Sequence, residues 1–324
     1  MTEINAHAVI GSHHVLFITF DSLRYDVARA AMYAGHTPNL AAVVPNGRWE
    51  QRHTQGSFTL PAHMAFFSGF LPVPSNPDRP GRLLACRAIR GTTITNRTFV
   101  FDAPDIVTGF AELGYRTVCV GGVGFFSKAT KLGSVFPKLF LESYWGSELG
   151  ASSPDSTRRQ VDRALRVLKE QSPDQRLFLF MNVTATHTPH HPYLTGATED
   201  SWESQWEALS YADDELQVLF EALPSLGPWL VIMCADHGEA FGEDGYHGHG
   251  VAHPSVWTVP YAETVIPTSH CRRKTRSAPA RAPLPGAHGR GFLMPASGTT
   301  PQGGLPSGCV ADPAAHGEVR LGDA

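Results

Sequence analysis

The sequence predicts an α/β protein in which helices sandwich a mostly parallel central sheet. Short apolar runs at residues 15–20, 116–120, 177–182 and 229–234 indicate strands that are buried on both faces, because a half-exposed strand would alternate apolar and polar residues. Amphipathic segments lie between these runs. Strands that alternate with helices in this way are typical of a parallel sheet covered on both sides.

Three of the intervening segments are predicted to be helices. Residues 106–113 end at Gly114, and glycine is common just after a helix. Residues 155–170 begin with an Asp-Ser pair suited to a helix start, and residues 201–223 carry apolar side chains at helical spacing. The irregular stretch 121–150 has no such period, and its length suggests a lid or a substrate-recognition insert.

Composition limits the classes of partner. A net charge of −4 gives no reason to expect nucleic acid or a membrane surface. No run reaches the roughly 20 apolar residues of a membrane helix, and the N-terminus lacks the apolar core of a secretory signal. Five cysteines at irregular spacings do not suggest a disulfide framework. We therefore expect a soluble, cytoplasmic protein with a small-molecule substrate, and the sequence indicates no oligomeric state.

The chain divides into three parts by composition. Residues 1–14 are predicted to be a flexible N-terminus, and residues 15–266 a single folded domain. Residues 267–324 are rich in Pro, Gly, Ala, Ser and Arg, without apolar periodicity. Such a segment cannot bury enough apolar surface to offset its ordering entropy, so we expect a disordered tail. Its composition also resembles an out-of-frame translation of GC-rich coding sequence.

The segment after the last apolar run is the most informative. Asp236 and His237 leave that predicted strand, and His247 and His249 follow in a Gly-rich loop. A carboxylate beside an imidazole at the carboxyl end of a buried strand is suited to a divalent metal, and functional crevices form at this edge of a parallel sheet. Asp21 follows the first predicted strand, so it is expected at the same edge, either as a metal ligand or as a helix cap.

A hydroxyl group is predicted near this edge. Thr59 precedes a helix that Pro61 can start, since proline suits the first helical turn. Unpaired N–H groups and the positive end of the helix dipole would stabilise a nucleophilic alkoxide and an anionic ester there. The alternative is a plain threonine cap. His63, farther along the same helix, is predicted either to contact the anion or to pack.

Three histidines follow the third predicted strand. Of these, His187 is the best candidate to reach the crevice, with His191 as a second candidate; a plain surface turn is the alternative. Arg24, close to the first carboxylate, is predicted either to bind the anionic substrate or to pair with Asp26.

Five motifs, in this order, resemble those of the alkaline phosphatase/sulfatase superfamily of metal-dependent hydrolases. They are F-D-S-L-R from residue 20, H-T-P-N-L from residue 36, T-L-P-A-H from residue 59, H-T-P-H-H-P-Y from residue 187, and A-D-H-G-E with the later H-G-H-G from residue 235. The third resembles the nucleophile segment of nucleotide pyrophosphatase/phosphodiesterases. The last is similar to that of phosphoethanolamine transferases and lipoteichoic acid synthases. The resemblance covers residues 15–266.

The resemblance implies a catalytic domain that uses one or two divalent ions, with Zn or Mn favoured by mixed oxygen and nitrogen ligands. It implies that Thr59 attacks a phosphate mono- or diester and forms a phospho-threonine intermediate. The metal ligands that it implies are Asp21, Thr59, Asp236 and His237, with His187 and His249 serving a second ion; His63, Arg24 and His191 would contact the substrate.

Three departures narrow this implication. Sulfatases use a Cys or Ser that becomes formylglycine where this chain has Thr59, and a second Asp where it has Ser22. The phosphodiesterases have an Asp four residues before the histidine that corresponds to His187, and this chain has Val183 at that position. Phosphate ester hydrolysis is therefore the leading hypothesis. The alternatives are sulfuric ester hydrolysis, a phospho-group transferase or mutase, and a degenerate metal-binding protein without turnover.

Overall fold

The computed structural model describes residues 4–69 and 105–268, and within them a seven-stranded sheet has the order β2-β9-β6-β1-β5-β3-β4. The strands are β1 (His14–Phe20), β2 (Glu50–His53), β3 (Arg116–Val120), β4 (Glu142–Tyr144), β5 (Leu177–Val183), β6 (Trp229–Ala235), β7 (Ala240–Phe241), β8 (His247–Gly248) and β9 (Thr258–Ile266). The helices are α1 (Ala6–Val9), α2 (Tyr25–Tyr33), α3 (Pro38–Val43), α4 (Thr59–Ser68), α5 (Ile106–Glu112), α6 (Ser156–Lys169), α7 (Trp202–Ala222) and α8 (Pro254–Trp257).

The prediction of a mostly parallel α/β sheet is confirmed. Strands β6, β1, β5, β3 and β4 run parallel as neighbours, whereas β9 is antiparallel to both β6 and β2. The four predicted strands correspond to β1, β3, β5 and β6, with bounds that differ by at most one residue. Their side chains are almost wholly buried, as a sheet covered on both faces requires.

Strands β2, β4 and β9 were not predicted. β2 and β4 are the edges of the sheet, and β9 lies next to β2. β2 consists of Glu, Gln, Arg and His, and three of these four residues are exposed. A strand at an edge pairs on one side only and needs no apolar run, so composition does not mark it.

The predicted helices correspond to α5, α6 and α7. In α7, Ser201 and Ser204 form a reciprocal capping box, which fixes where the helix begins. Residues 1–14, predicted to be flexible, contain the single-turn helix α1, and its Val9 packs in the core. The predicted disordered tail falls largely on residues 269–324, outside the described residues. No helix in the described part of the chain is long and apolar enough to cross a membrane.

The register of the sheet positions the site. In β1, Phe20 pairs with Ala235 of β6 and with Val183 of β5. The next residue of each strand therefore leaves the sheet at the same level. Two of these residues are Asp21 and Asp236, so two carboxylates that are distant in sequence become neighbours.

Candidate active site

Asp21, Asp236 and His237 form what we call the strand-end cluster. All three side chains are fully buried, and their candidate ligand atoms lie within 4.8 Å of one another. His237 Nε2 is 3.6 Å from Asp21 Oδ1 and 3.5 Å from Asp236 Oδ2. The two aspartates come from adjacent strand ends, and the histidine follows one of them directly.

The strand-end cluster fits a divalent cation. Asp236 Oδ2 and His237 Nε2 are buried without a hydrogen-bond partner, which is costly unless something else binds them. Both atoms face the same small space, together with a carboxylate oxygen of Asp21. Two carboxylates and one imidazole are ligands that Zn²⁺ and Mn²⁺ accept. Asp21, Asp236 and His237 are therefore the residues that would hold such an ion.

Burial dominates the electrostatics of this cluster. It raises the pKa of Asp236, and the nearby Asp21 carboxylate raises it further. Burial also acts to raise the pKa of Asp21, but His187, His237 and a hydrogen bond from Asn182 outweigh it, and the net direction is downward. Burial lowers the pKa of His237 to about 3, so its imidazole is neutral near pH 7 and free to act as a ligand.

Asn182 orients the Asp21 carboxylate, and the sequence reasoning missed this role. Its side-chain amide donates to Asp21 Oδ2 at 3.0 Å, and its Oδ1 accepts from Val123 N at 3.1 Å. Because β1 and β5 pair Thr19 with Asn182, the amide lies close to the Asp21 carboxylate, which follows β1. The signal available in the sequence was a polar residue near the end of an otherwise apolar run.

The other carboxylate is held by backbone groups. Asp236 Oδ1 accepts from Ser22 N at 3.2 Å and from His237 N at 2.9 Å, which leaves Oδ2 for a cation. Ser22 has φ 61°, a region that non-glycine residues seldom adopt and that often marks a functional site. The residue after His237 must be glycine, because a Cβ at Gly238 would lie 2.0 Å from Ser255 O.

Thr59 is the first residue of α4 rather than its cap, which is Phe58. Its side chain lies in the first helical turn, where unpaired N–H groups gather. His63 ties this turn to the strand-end cluster. His63 Nδ1 donates to Thr59 O at 2.8 Å and lies 3.6 Å from Asp236 Oδ2.

His63 packs in the core instead of facing substrate. The side chain is fully buried, and its ring contacts those of Phe66, Phe67, Phe126, Phe136 and Phe180. Burial lowers its pKa to about 4, so the ring is neutral near pH 7. Of the two roles predicted for His63, the structure favours packing.

A second group of side chains, the loop cluster, consists of His187, His190, Glu239 and His249. His249 Nδ1 is 3.5 Å from Glu239 Oε1, and its ring centroid is 5.6 Å from that of His187. Glu239 Oε2, His249 Nδ1 and His190 Nε2 are buried without hydrogen-bond partners. Burial acts to lower the pKa of His249, but the Glu239 carboxylate outweighs it and the net direction is upward.

The loop cluster adjoins the strand-end cluster. The rings of His249 and His237 are 4.6 Å apart, and His187 Nε2 is 3.9 Å from Asp21 Oδ1. His247, the weaker candidate, is exposed. Glu239 and His190 were not among the predicted site residues, although Glu239 stands in the same D-H-G-E string as Asp236 and His237.

His191 lies outside the loop cluster. Asp200 Oδ1 accepts from the backbone N–H of His191 at 2.6 Å and lies 3.1 Å from its Nδ1. The neighbouring His190 is fully buried, and its Nδ1 lies 2.8 Å from Ser204 Oγ, which leaves Nε2 for the cluster. The charges of Glu239 and His187 act on the pKa of His190, which places this histidine near the loop cluster. His191 was the one predicted to contact substrate.

Arg24 is engaged in ion pairs. Its guanidinium donates to both carboxylate oxygens of Asp26, at 2.9 and 2.7 Å, and to Glu243. It also donates to the carbonyl of Glu239 at 3.3 Å, so it braces the loop that carries the loop cluster. Of the two roles predicted for Arg24, the structure favours pairing over substrate binding.

Comparisons with known proteins agree with the fold. The sulfatase family model matches residues 13–262. The soluble domain of lipooligosaccharide phosphoethanolamine transferase A from Neisseria meningitidis is 15% identical with a TM-score of 0.54, and the match covers 79% of this chain and 77% of that one. The lipoteichoic acid synthase LtaP from Listeria monocytogenes is 14% identical with a TM-score of 0.54, over 81% of this chain and 68% of that one.

The periplasmic domain of EcEptC from Escherichia coli, in complex with Zn, is 13% identical with a TM-score of 0.53, over 82% of this chain and 77% of that one. No protein of the curated set matches this sequence significantly. Structures at identities this low show only that the fold is shared. The family model matches most of the chain and therefore shows the family. The predicted resemblance to sulfatases is confirmed, and the chain belongs to the sulfatase family.

Proposed function

We propose that this chain is a divalent-metal-dependent hydrolase of phosphate mono- or diesters in which Thr59 is the nucleophile. The observation that carries the proposal is the pair of unpartnered buried atoms, Asp236 Oδ2 and His237 Nε2, beside the Asp21 carboxylate. His63 links the backbone of Thr59 to the same cluster. This contact supports placing the proposed nucleophile, in the first turn of α4, beside the proposed cation site.

When bound, a divalent ion such as Zn²⁺ or Mn²⁺ would lower the pKa of a bound hydroxyl and draw charge from the phosphate oxygens. Asp21, Asp236 and His237 would hold it, and the Thr59 hydroxyl would complete the set. Thr59 Oγ1 would lose its proton to solvent and attack phosphorus in line, while the P–O bond to the leaving group breaks and the departing oxygen takes up a proton. Water would then cleave the phospho-threonine and regenerate the hydroxyl. In the first turn of α4, Pro61 has no N–H and Ala62 N donates to Phe58 O at 3.4 Å, so the N–H groups of Thr59 and Leu60 are the ones proposed to bind the transferred phosphoryl oxygens.

The loop cluster is proposed to serve the leaving group. His249 lies beside both His237 and Glu239, so it can donate a proton to a departing oxygen while the carboxylate stabilises the imidazolium. A second ion bound by His187 and His249 is an alternative for the same task. Glu239 would then be a further ligand.

Thr59→Ala tests the nucleophile. We expect the variant to lose hydrolysis of an aryl phosphate and of a bis-aryl phosphate while it retains bound metal, with Thr59→Ser as the matched control that keeps the hydroxyl. Intact-protein mass spectrometry after acid quench should show a phosphoryl adduct on the native chain but not on Thr59→Ala. Full turnover by Thr59→Ala would contradict the assignment.

Phospho-group transfer is the second candidate, because two of the similar structures are named as a phosphoethanolamine transferase and a lipoteichoic acid synthase. Product analysis with and without added alcohols separates transfer from hydrolysis. An aryl sulfate in the same panel tests sulfuric ester hydrolysis, for which Thr59 replaces the Cys or Ser of sulfatases.

A further inference from the structure

A cleft of about 270 Å³ lies between α6 and the irregular segment 121–150, apart from both clusters of the candidate active site. We call it the arginine cleft. Its cationic lining residues are Lys128, Arg159, Arg163 and Arg166, and its acidic ones are Glu148 and Asp162. Four cations against two carboxylates leave an excess of two positive charges in a concave site, which concentrates the field on an anion.

The three arginines stand on one face of α6, at i, i+4 and i+7. None of them forms an ion pair with another residue of the described part of the chain. The adjacent Arg158, which does not line the cleft, is paired with Asp155 and lies 3.5 Å from Glu215. On the same helix, the arginine outside the cleft is paired with carboxylates, whereas the three arginines that line the cleft can still pair with an anionic ligand.

Lys128 is held at the cleft by an unusual backbone conformation. Its φ is 58°, which L-residues adopt at a cost and which proteins retain mainly where the position of a side chain matters. Its N–H donates to Gly133 O at 3.0 Å, and its Nζ donates to Ser143 O at 2.6 Å. One N–H of the amine is thus used to fix its place, and two remain for a ligand.

Two aromatic residues, Tyr144 and Trp145, form one wall of the cleft. The guanidinium of Arg163 lies 4.5 Å from the ring centroid of Tyr144, which restricts its motion. Trp145 Nε1 donates to Gly122 O at 2.8 Å, so the wall is anchored to the loop after β3. Two of the four cations are therefore held in place before a ligand arrives, which reduces the entropy cost of binding.

We propose that the arginine cleft binds a small polyanion that carries two or more phosphate or sulfate groups. Guanidinium groups bind such groups through paired N–H donors, and a lysine adds a point charge. All four cations line one cleft of about 270 Å³, a size that fits a small molecule better than a nucleic acid. Binding there uses no residue of the strand-end or loop cluster and does not depend on the proposed phosphatase mechanism.

The test uses inorganic tripolyphosphate as the probe and the full chain treated with a chelator, so that anion binding through a metal at the active site is removed. Isothermal titration calorimetry should show one saturable site. We expect affinity to fall about a hundredfold in Arg159→Gln/Arg166→Gln, because each charge-assisted hydrogen bond is worth about tenfold in affinity. Both of these arginines are exposed, and thermal melting checks that the variant is folded.

Arg29→Gln/Arg48→Gln is the matched control, because it removes the same charge from exposed positions elsewhere. We expect this control and Thr59→Ala to bind the probe as the native chain does. Absence of saturable binding by the native chain would overturn the proposal. So would an equal loss of affinity in the charge-matched control, or binding of a single-stranded oligonucleotide, competed by salt, in place of tripolyphosphate.

Discussion

The strand-end cluster and the loop cluster lie side by side but are built differently. Asp21 and Asp236 are fixed by the register of neighbouring parallel strands, and both are fully buried. His187 and His249 stand on loops and keep part of their side chains exposed, 19% and 27%. A sheet holds side chains rigidly without further help, whereas loops need bracing contacts such as those of Arg24 and Asp200.

The difference suggests a division of labour. A rigid, dry set of ligands suits an ion that stays bound through turnover. A set on loops, with His187 and His249 partly exposed and three unpartnered polar atoms, suits groups that change during the reaction, such as a leaving oxygen and its proton. Variants in the two clusters should therefore separate metal affinity from turnover.

Asp236→Asn should have the largest effect. The substitution removes the carboxylate charge at Oδ2, which has no hydrogen-bond partner in the protein. We expect affinity for Zn²⁺ or Mn²⁺, measured by equilibrium dialysis, to fall on the order of a hundredfold or more, and ester hydrolysis to fall with it. Asp244→Asn, at an exposed carboxylate, is the matched control. Equal affinities in the two variants would remove Asp236 from the ligand set.

Asn182→Ala should have an intermediate effect, because this amide orients Asp21 without being a ligand itself. Loss of such a supporting hydrogen bond typically lowers metal affinity about 10- to 100-fold. Asn39→Ala is the control, since that amide bonds to Asp213 on α7. Dialysis should show weaker metal binding in the first variant only; unchanged binding in Asn182→Ala would mean that the amide serves packing alone.

His249→Gln should leave metal at the strand-end cluster and slow the reaction. Without the imidazole, we expect kcat for a poor leaving group to fall by about 100-fold, as for loss of a general acid, and for a good leaving group by much less. His247→Gln is the matched control, because that side chain is exposed two residues away. A similar fall in kcat for both leaving groups would point to substrate binding instead of proton transfer.

The sequence predicts the residues at the strand ends of the site better than those on the surrounding loops. Asp21 and Asp236 could be placed together because each follows a buried apolar run, and parallel strand ends share an edge. His190 and His191 could not be separated, because Asp200, nine residues beyond the second, selects which one turns inward. For Arg24, the sequence left substrate binding and pairing with Asp26 open; the structure shows the Asp26 pair and adds Glu243, which the folded loop brings within reach.

The same limit applies to the fold. β1, β5, β3 and β6 are buried on both faces and show it in their composition, whereas the polar β2 at an edge does not. The packing of His63 could not be predicted from the sequence. The phenylalanines that surround its ring, such as Phe126 and Phe180, are distant in sequence and meet it only in the folded chain.

Metal titration of the chelator-treated native chain tests the central claim most directly. Hydrolysis of a bis-aryl phosphate is followed as Zn²⁺ or Mn²⁺ is added, alongside the bound metal and the phosphoryl adduct on Thr59. The account predicts negligible turnover without metal, and turnover and adduct that rise together as the site formed by Asp21, Asp236 and His237 fills. Full turnover in the metal-free chain, or a filled site with no adduct and no turnover, would contradict it.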